Sequence, residues 1–173
     1  MLFGTENIEF EILESIHSFT QSDLLDFFVP RISWFGNGGL IWIVLAIVLL
    51  ATKKYRRTGI ALSAGLILCL ILGNMFLKPI IARPRPCWIF DVQSMLIPIP
   101  EDYSFPSGHT YSSFLSAFVI LTQSRKWGIL TLLVAVIMAF TRLYLFVHFP
   151  TDILGGIILG TVIFFIVRKI LRK

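Results

Sequence analysis

Between Thr141 and Asp152 the chain reads TRLYLFVHFPTD, which sets an arginine, a histidine and an aspartate among apolar residues. A charge at bilayer depth costs about 2.5–3.5 kcal/mol on insertion scales, so such residues mark a functional site by default. Pro150 has no N–H and suits the first turn of a helix, leaving His148 just ahead of that helix and Asp152 inside its first turn. From there the carboxylate can fold back as a capping-box acid and meet the imidazole. Such pairing fixes the ring's tautomer and stabilises its cation. Arg142 is a permanent cation suited to bidentate phosphate contact.

Two further stretches carry similar chemistry. KPIIARPRP, from Lys78 to Pro86, holds the cations Lys78, Arg83 and Arg85. FPSGH, from Phe105 to His109, offers Ser107 as an N-cap and Gly108 as a place where backbone can approach a ligand closely. Each has a plainer reading: cations snorkel at helix ends, and PSGH alone fits a helix start. Taken together they supply cations, helix-terminal amides and two histidines, the kind of cage a tetrahedral phosphate needs. One histidine can attack phosphorus while the other protonates the departing oxygen. No carboxylate cluster suited to Mg²⁺ or Zn²⁺ accompanies them, so no metal and no cofactor is expected.

The elements that must position these groups belong to a membrane protein. Of 173 residues 56% are hydrophobic and only 14% charged, enough chain for one domain and too apolar for a soluble one. The first residues carry glutamates where a signal peptide would be basic and then apolar, so no cleavable signal is expected. Five uncharged stretches, 32–52, 58–77, 103–124, 127–141 and 153–167, predict five transmembrane helices in an all-α bundle. The last two reach full length only by including Arg142 and 150–152, which puts the site at or below the membrane surface. Residues 1–31 form a separate N-terminal part of the same domain. Ile8, Ile12, Leu13, Ile16 and Phe19 recur at helical spacing among Glu6, Glu9, Glu11 and Glu14, which predicts an amphipathic helix lying at the interface. Thr20–Asp23 resembles a capping box opening a second short helix that Pro30 should end or bend, and His17 reads as an interfacial surface residue. Cys69 and Cys87 read as free thiols at different depths.

Loop charges orient the bundle. Lys53, Lys54, Arg56 and Arg57, then Arg125 and Lys126, then Arg168, Lys169, Arg172 and Lys173, hold most of the fifteen basic residues and no acid. The positive-inside rule places these segments and the C-terminus in the cytoplasm, and all three motif stretches outside. The net charge of +5 thus reflects topology, and nucleic-acid binding explains it poorly.

Lys78-x6-Arg85-Pro86, Pro106-Ser107-Gly108-His109 and Arg142-x5-His148-x3-Asp152 together resemble the three-part signature of the type 2 phosphatidic acid phosphatase superfamily, in the same order, over the chain from about residue 35 onward. Thr141 departs from the usual serine but keeps a hydroxyl, and five spans stand where many members have six. The resemblance implies that His148 is the nucleophile of a phosphohistidine intermediate, oriented by Asp152, with His109 the general acid. It also implies that Lys78, Arg85, Arg142, Ser107 and the Gly108 amide bind phosphate. Arg83 lies outside the signature, and two roles are open to it: contact with a second phosphate or head group, or pairing with an outer-loop acid.

The loop from 87 to 103 is unusually apolar, with Trp88, Ile89, Phe90, Met95, Leu96, Ile97 and Ile99, and could guide a lipid tail as well as pack over helix ends. The expected partner is therefore a lipid phosphate or diphosphate in a bacterial-type inner membrane, cleaved on its outer face. Undecaprenyl diphosphate comes first by resemblance; phosphatidylglycerophosphate, phosphatidate and lipid A 1-phosphate are the alternatives. A small transporter would not need a paired Asp–His beside a second histidine, and a non-catalytic scaffold would tolerate losing these residues.

Overall fold

The computed structural model describes residues 4–92 and 95–171, and no strand occurs among them. Arg172 and Lys173, counted above among the cytoplasmic charges, lie outside the described residues. Helix α1 spans Glu6–Thr20 and α2 Asp23–Phe35. Ser22 caps α2 by accepting from the Leu25 amide at 3.3 Å, while Pro30 sits inside the helix, which carries on to Phe35. A tight turn at Asn37–Gly39, with Gly38 and Gly39 at φ 60° and 74°, bends the chain by 46° into α3, Leu40–Ala51. Helix α4, Arg56–Cys69, continues through a π-helical stretch, Leu70–Leu77, into the single turn α5, Lys78–Ile81. Ala82, at φ 47°, ends it; α6, Pro86–Ile89, follows, then α7, Gly108–Leu121, α8, Arg125–Tyr144, and α9, Pro150–Leu171.

Three stretches, Lys53–Ile89, Arg125–Tyr144 and Pro150–Leu171, are long and apolar enough to cross a membrane, and the bent pair α2–α3 makes a fourth if counted as one. The expected count of five differs because α7, inside the uncharged run 103–124, has only 14 residues. It is the central helix, packed against α4, α8 and α9 and buried along most of its length. Large apolar side chains such as Val44 on α3, Leu133 on α8 and Ile158 and Phe165 on α9 face outward, as lipid-facing residues do.

Close backbone approach lets α7 and α9 carry the site jointly. A Cβ at Gly160 would lie 2.6 Å from the Tyr111 carbonyl oxygen, and one at Gly156 would lie 2.8 Å from the Thr110 side chain. Small residues at four-residue spacing permit such contact in membrane helices. It seats the Ser107 amide on the Asp152 carbonyl, 3.1 Å away, tying the start of α7 to the first turn of α9. Trp42 on α3 donates to Ser113 at 2.9 Å and fixes a third side of α7.

Helix α1 turns over the expected pattern. Its inward face carries Glu6, Glu9 and Leu13, while Ile8 and Phe19 are 62% and 91% exposed. His17 is half-buried and packs on Tyr144 and Phe146, with ring centroids 4.9 and 5.1 Å away. The thiols of Cys69 and Cys87 are unbridged.

Gly160→Leu should lower the melting temperature and folded yield in detergent, since overpacking against backbone costs about 1–3 kcal/mol. Ile158→Leu, on the exposed face of the same helix, should leave both unchanged, and equal losses would remove the α7–α9 contact as the cause.

Candidate active site

His148 occupies the five-residue turn between α8 and α9, where Phe146 adopts φ 54°. A non-glycine residue in that region stores about 1–3 kcal/mol of strain, which surrounding contacts must offset. Here the Phe146 and Val147 amides bond back to the Leu143 and Arg142 carbonyls at 3.0 and 3.3 Å. The imidazole is buried. Its Nε2 lies 3.2 Å from Arg85 Nη1, and since a guanidinium only donates, Nε2 must accept. The proton then resides on Nδ1, which faces Asp152 Oδ2 and Ser104 Oγ, each at 3.4 Å. Burial foremost, then the Arg85 cation, holds His148 well below its ordinary value, so the ring is neutral with a bare Nε2.

Asp152 acts as the capping-box acid expected from sequence: Oδ2 accepts from the Phe149 amide at 2.8 Å. The same oxygen accepts from the Ser104 hydroxyl. Oδ1 takes Arg83 Nη1 at 2.6 Å. Of the two roles open to Arg83, the structure shows ion pairing, and with an acid from α1 as well as Asp152. Its guanidinium is completely buried, bonds Glu9 Oε1 at 2.8 Å and stacks over Phe149 with its Cζ 4.2 Å from the ring centroid. Arg83 is not among the residues that line the site cavity.

Lys78, Arg85, Arg142, His109, Gly108 and His148 all line one cavity of about 730 Å³. The π-helical stretch before Lys78 changes the helix phase there, and π segments recur at functional sites. Lys78 and Arg85 both pair with Asp102, a loop carboxylate that sequence reasoning did not single out. Burial acts to raise the Asp102 carboxyl, but the Arg85 and Lys78 cations outweigh it and bring it down to about 2. Arg85 also donates to the Val147 and Asp102 carbonyls, at 2.6 and 2.7 Å. Arg142 is buried, donates to the Ser33 hydroxyl, and among the described residues pairs with no carboxylate.

His109, in the first turn of α7, is held from α2. Its Nε2 donates to the Ser33 carbonyl at 3.1 Å, and a Cβ at Gly36 would come within 2.4 Å of its ring. Ser107 differs from expectation. It is fully buried behind the cavity wall, and its hydroxyl accepts from Thr110 at 3.0 Å rather than capping a backbone amide. Thr141 spends its hydroxyl on the Met138 carbonyl within α8, 2.7 Å away. Glu9, Ser33, Gly36, Ser104 and Asp102 are thus the site's supporting residues that sequence did not reveal; only Ser104, just before the FPSGH stretch, lay close to a motif. No group of three or more His, Cys, Asp or Glu side chains able to hold a metal occurs among the described residues.

The PAP2 superfamily pattern matches residues 58–173. An undecaprenyl-diphosphatase of Sulfolobus acidocaldarius is 32% identical over 168 residues, covering 96% of this chain and 81% of that one. Undecaprenyl-diphosphatase BcrC of Bacillus subtilis is 28% identical, covering 92% and 82%. Among solved structures, a PAP2-type phosphatidylglycerolphosphate phosphatase from Bacillus subtilis superposes with a TM-score of 0.74 at 25% identity, covering 96% of this chain and 86% of that one.

The Glu9 carboxylate provides a pH test of how α1 is seated. Burial pushes it up, yet hydrogen bonds from Thr5, Thr151 and Arg83 outweigh that and hold it below its ordinary 4.5. A lowered value means that its contribution to docking is complete above the ordinary value and is lost as pH falls through the docked one. Amide-exchange protection of α1 should therefore be flat near neutral pH and fall only once the pH has dropped below the ordinary glutamate value. Glu9→Gln should abolish that dependence, and an unchanged acid transition would assign it elsewhere.

Proposed function

The chain belongs to the PAP2 superfamily, and from that premise we propose that it is an integral membrane phosphatase that hydrolyses lipid phosphates or diphosphates, with undecaprenyl diphosphate the foremost substrate. One observation carries the lipid assignment. Beside both histidines and three cations, the same cavity is lined by Ile43, Ala46 and Ile47 of α3 and Leu66, Ile67 and Leu70 of the α4 stretch. A phosphate at the cations would place its apolar tail along these helices. Ile97, Pro98 and Ile99 of the 87–103 loop form only part of the wall. Phosphatidylglycerophosphate, phosphatidate and lipid A phosphates present the same head chemistry and remain the alternative substrates.

The bare Nε2 of His148 attacks the terminal phosphorus, forming an N–P bond while the P–O bond to the lipid oxygen breaks. Lys78, Arg85, Arg142 and the Gly108 amide hold the phosphoryl oxygens and stabilise the charge that develops on them. His109 supplies a proton to the leaving oxygen. With Nε2–H committed to Ser33, its Nδ1 is the nitrogen that gains and loses that proton. Asp152 stabilises the imidazolium character that His148 acquires. Water then attacks the phosphohistidine, His109 takes its proton, and inorganic phosphate leaves. Fixed cations do the electrostatic work, so no metal step is required. The basic segments place the C-terminus in the cytoplasm and the site on the opposite face of a bacterial-type inner membrane.

Hydrolysis should survive excess chelator, and vanadate should inhibit by mimicking five-coordinate phosphorus. His148→Ala should form no acid-labile phosphoenzyme with any substrate. His109→Ala should lose about 10²–10⁴-fold on a lipid alkyl phosphate and markedly less on nitrophenyl phosphate, whose leaving group needs the proton less. Labelled phosphate trapped on the His148→Ala protein would overturn this chemistry. Glycerol phosphate turned over as efficiently as lipid phosphates in matched detergent would overturn the assignment of the apolar wall to a lipid tail. Single cysteines at Glu11 and Arg168, in a background lacking Cys69 and Cys87, should label from opposite faces; labelling from one face would overturn the orientation.

A further inference from the structure

We propose that Glu9 of α1 is a positioning residue for hydrolysis, holding through Arg83 the Asp152 carboxylate that orients His148, so that the seated N-terminal helix is part of the reactive site. The proposal rests on His148 being the nucleophile. Residue 9 lies well outside the stretch 58–173 that carries the family pattern.

Both carboxylate oxygens of Glu9 reach toward the site, and Oε1 is also held by Thr5 at the start of α1. Oε1 accepts from Arg83 Nη2 at 2.8 Å and from Thr5 Oγ1 at 2.6 Å. Oε2 accepts from the Thr151 amide at 3.0 Å and its hydroxyl at 2.7 Å, beside Asp152 itself. Arg83 Nη1 in turn reaches both the Thr151 hydroxyl and Asp152 Oδ1, each at 2.6 Å. The guanidinium is therefore spread between two carboxylates, both buried. Neutralising Glu9 removes one of the two carboxylates between which Arg83 is shared here. Arg83 then draws Oδ1 toward itself and away from the geometry in which Oδ2 faces His148 Nδ1. That face is already at 3.4 Å, so small displacements of Asp152 decide whether the contact forms. Phe10, next to Glu9, stacks on Phe90 with centroids 4.0 Å apart and keeps α1 in register.

Glu9→Gln is isosteric and keeps the helix. Full-length protein in detergent, assayed on undecaprenyl diphosphate, should show kcat lowered about 10–100-fold, as for loss of an outer partner of a site ligand. KM should stay unchanged, because Glu9 touches no phosphate-facing residue other than through Asp152. Introduced into Asp152→Asn, the same substitution should cost almost nothing further, whereas a merely structural role would multiply the two losses. Glu11→Gln, on the exposed side of α1, should match the wild type. If Glu9→Gln does not yield folded protein, Thr151→Val, which removes the hydroxyl shared by Glu9 and Arg83, must give a smaller kcat loss at constant KM. A wild-type kcat in the folded variant, or multiplying losses, overturns this inference while leaving the phosphatase reading intact. An inactive wild type on every lipid phosphate overturns both.

Discussion

The site depends on holding the Asp152 carboxylate completely buried beside a neutral imidazole. Removing an ion from water costs several kcal/mol even after relaxation, and the cost is offset only when charge and lone pairs are both matched. The structure matches them with unusual thoroughness. Oδ1 takes a guanidinium, and Oδ2 takes an amide and a hydroxyl. Arg83 is held in turn by Glu9, Thr151 and the face of Phe149. Each member is stable in the interior only because the next one is present. The cluster therefore joins α1, the Arg83 turn, the Ser104 loop and the start of α9 into one unit.

A second charged group follows different rules. Lys78, Arg85 and Arg142 bring three positive charges to one cavity, balanced among the described residues by Asp102 alone. Asp102 is 57% exposed, so its bonds to the two cations form where water competes and can exchange for another anion. The buried cluster provides rigidity, and the cavity cluster leaves a net positive field in the cavity. Arg85 links the two, since it bonds Asp102, the Val147 carbonyl and His148 Nε2 together.

The membrane contributes through geometry. A 14-residue α7 is about 21 Å long, shorter than the bilayer core of about 30 Å. The helix packs in the middle of the bundle against α4, α8 and α9 and carries His109 in its first turn, beside a cavity that α3 and α4 also line.

Sequence alone determined the family and the all-helical class. The motif residues are charged or polar islands in apolar text, so their cost at bilayer depth made them legible, and Pro150 with Asp152 announced its own helix start. The three long apolar helical stretches followed from hydropathy, because burial in lipid rewards long apolar runs whatever they pack against, while α7 at 14 residues did not make the span expected of it. What only the tertiary structure decided concerns contacts between segments far apart in the chain. Glu9 reads as one of four solvated glutamates on an amphipathic helix, and nothing local distinguishes it from Glu11. Its burial is decided by Arg83, 74 residues away. Ser33 and Gly36 likewise look like an unremarkable helix end until α7 brings His109 against them. Spacing tells which residues share a loop, but the partners of Ser107 and Arg83, Thr110 for the one and Glu9 with Asp152 for the other, are set by how α1, α7 and α9 pack. Periodicity reports how apolar a face is, and a buried ion pair is the case in which apolarity and burial part company.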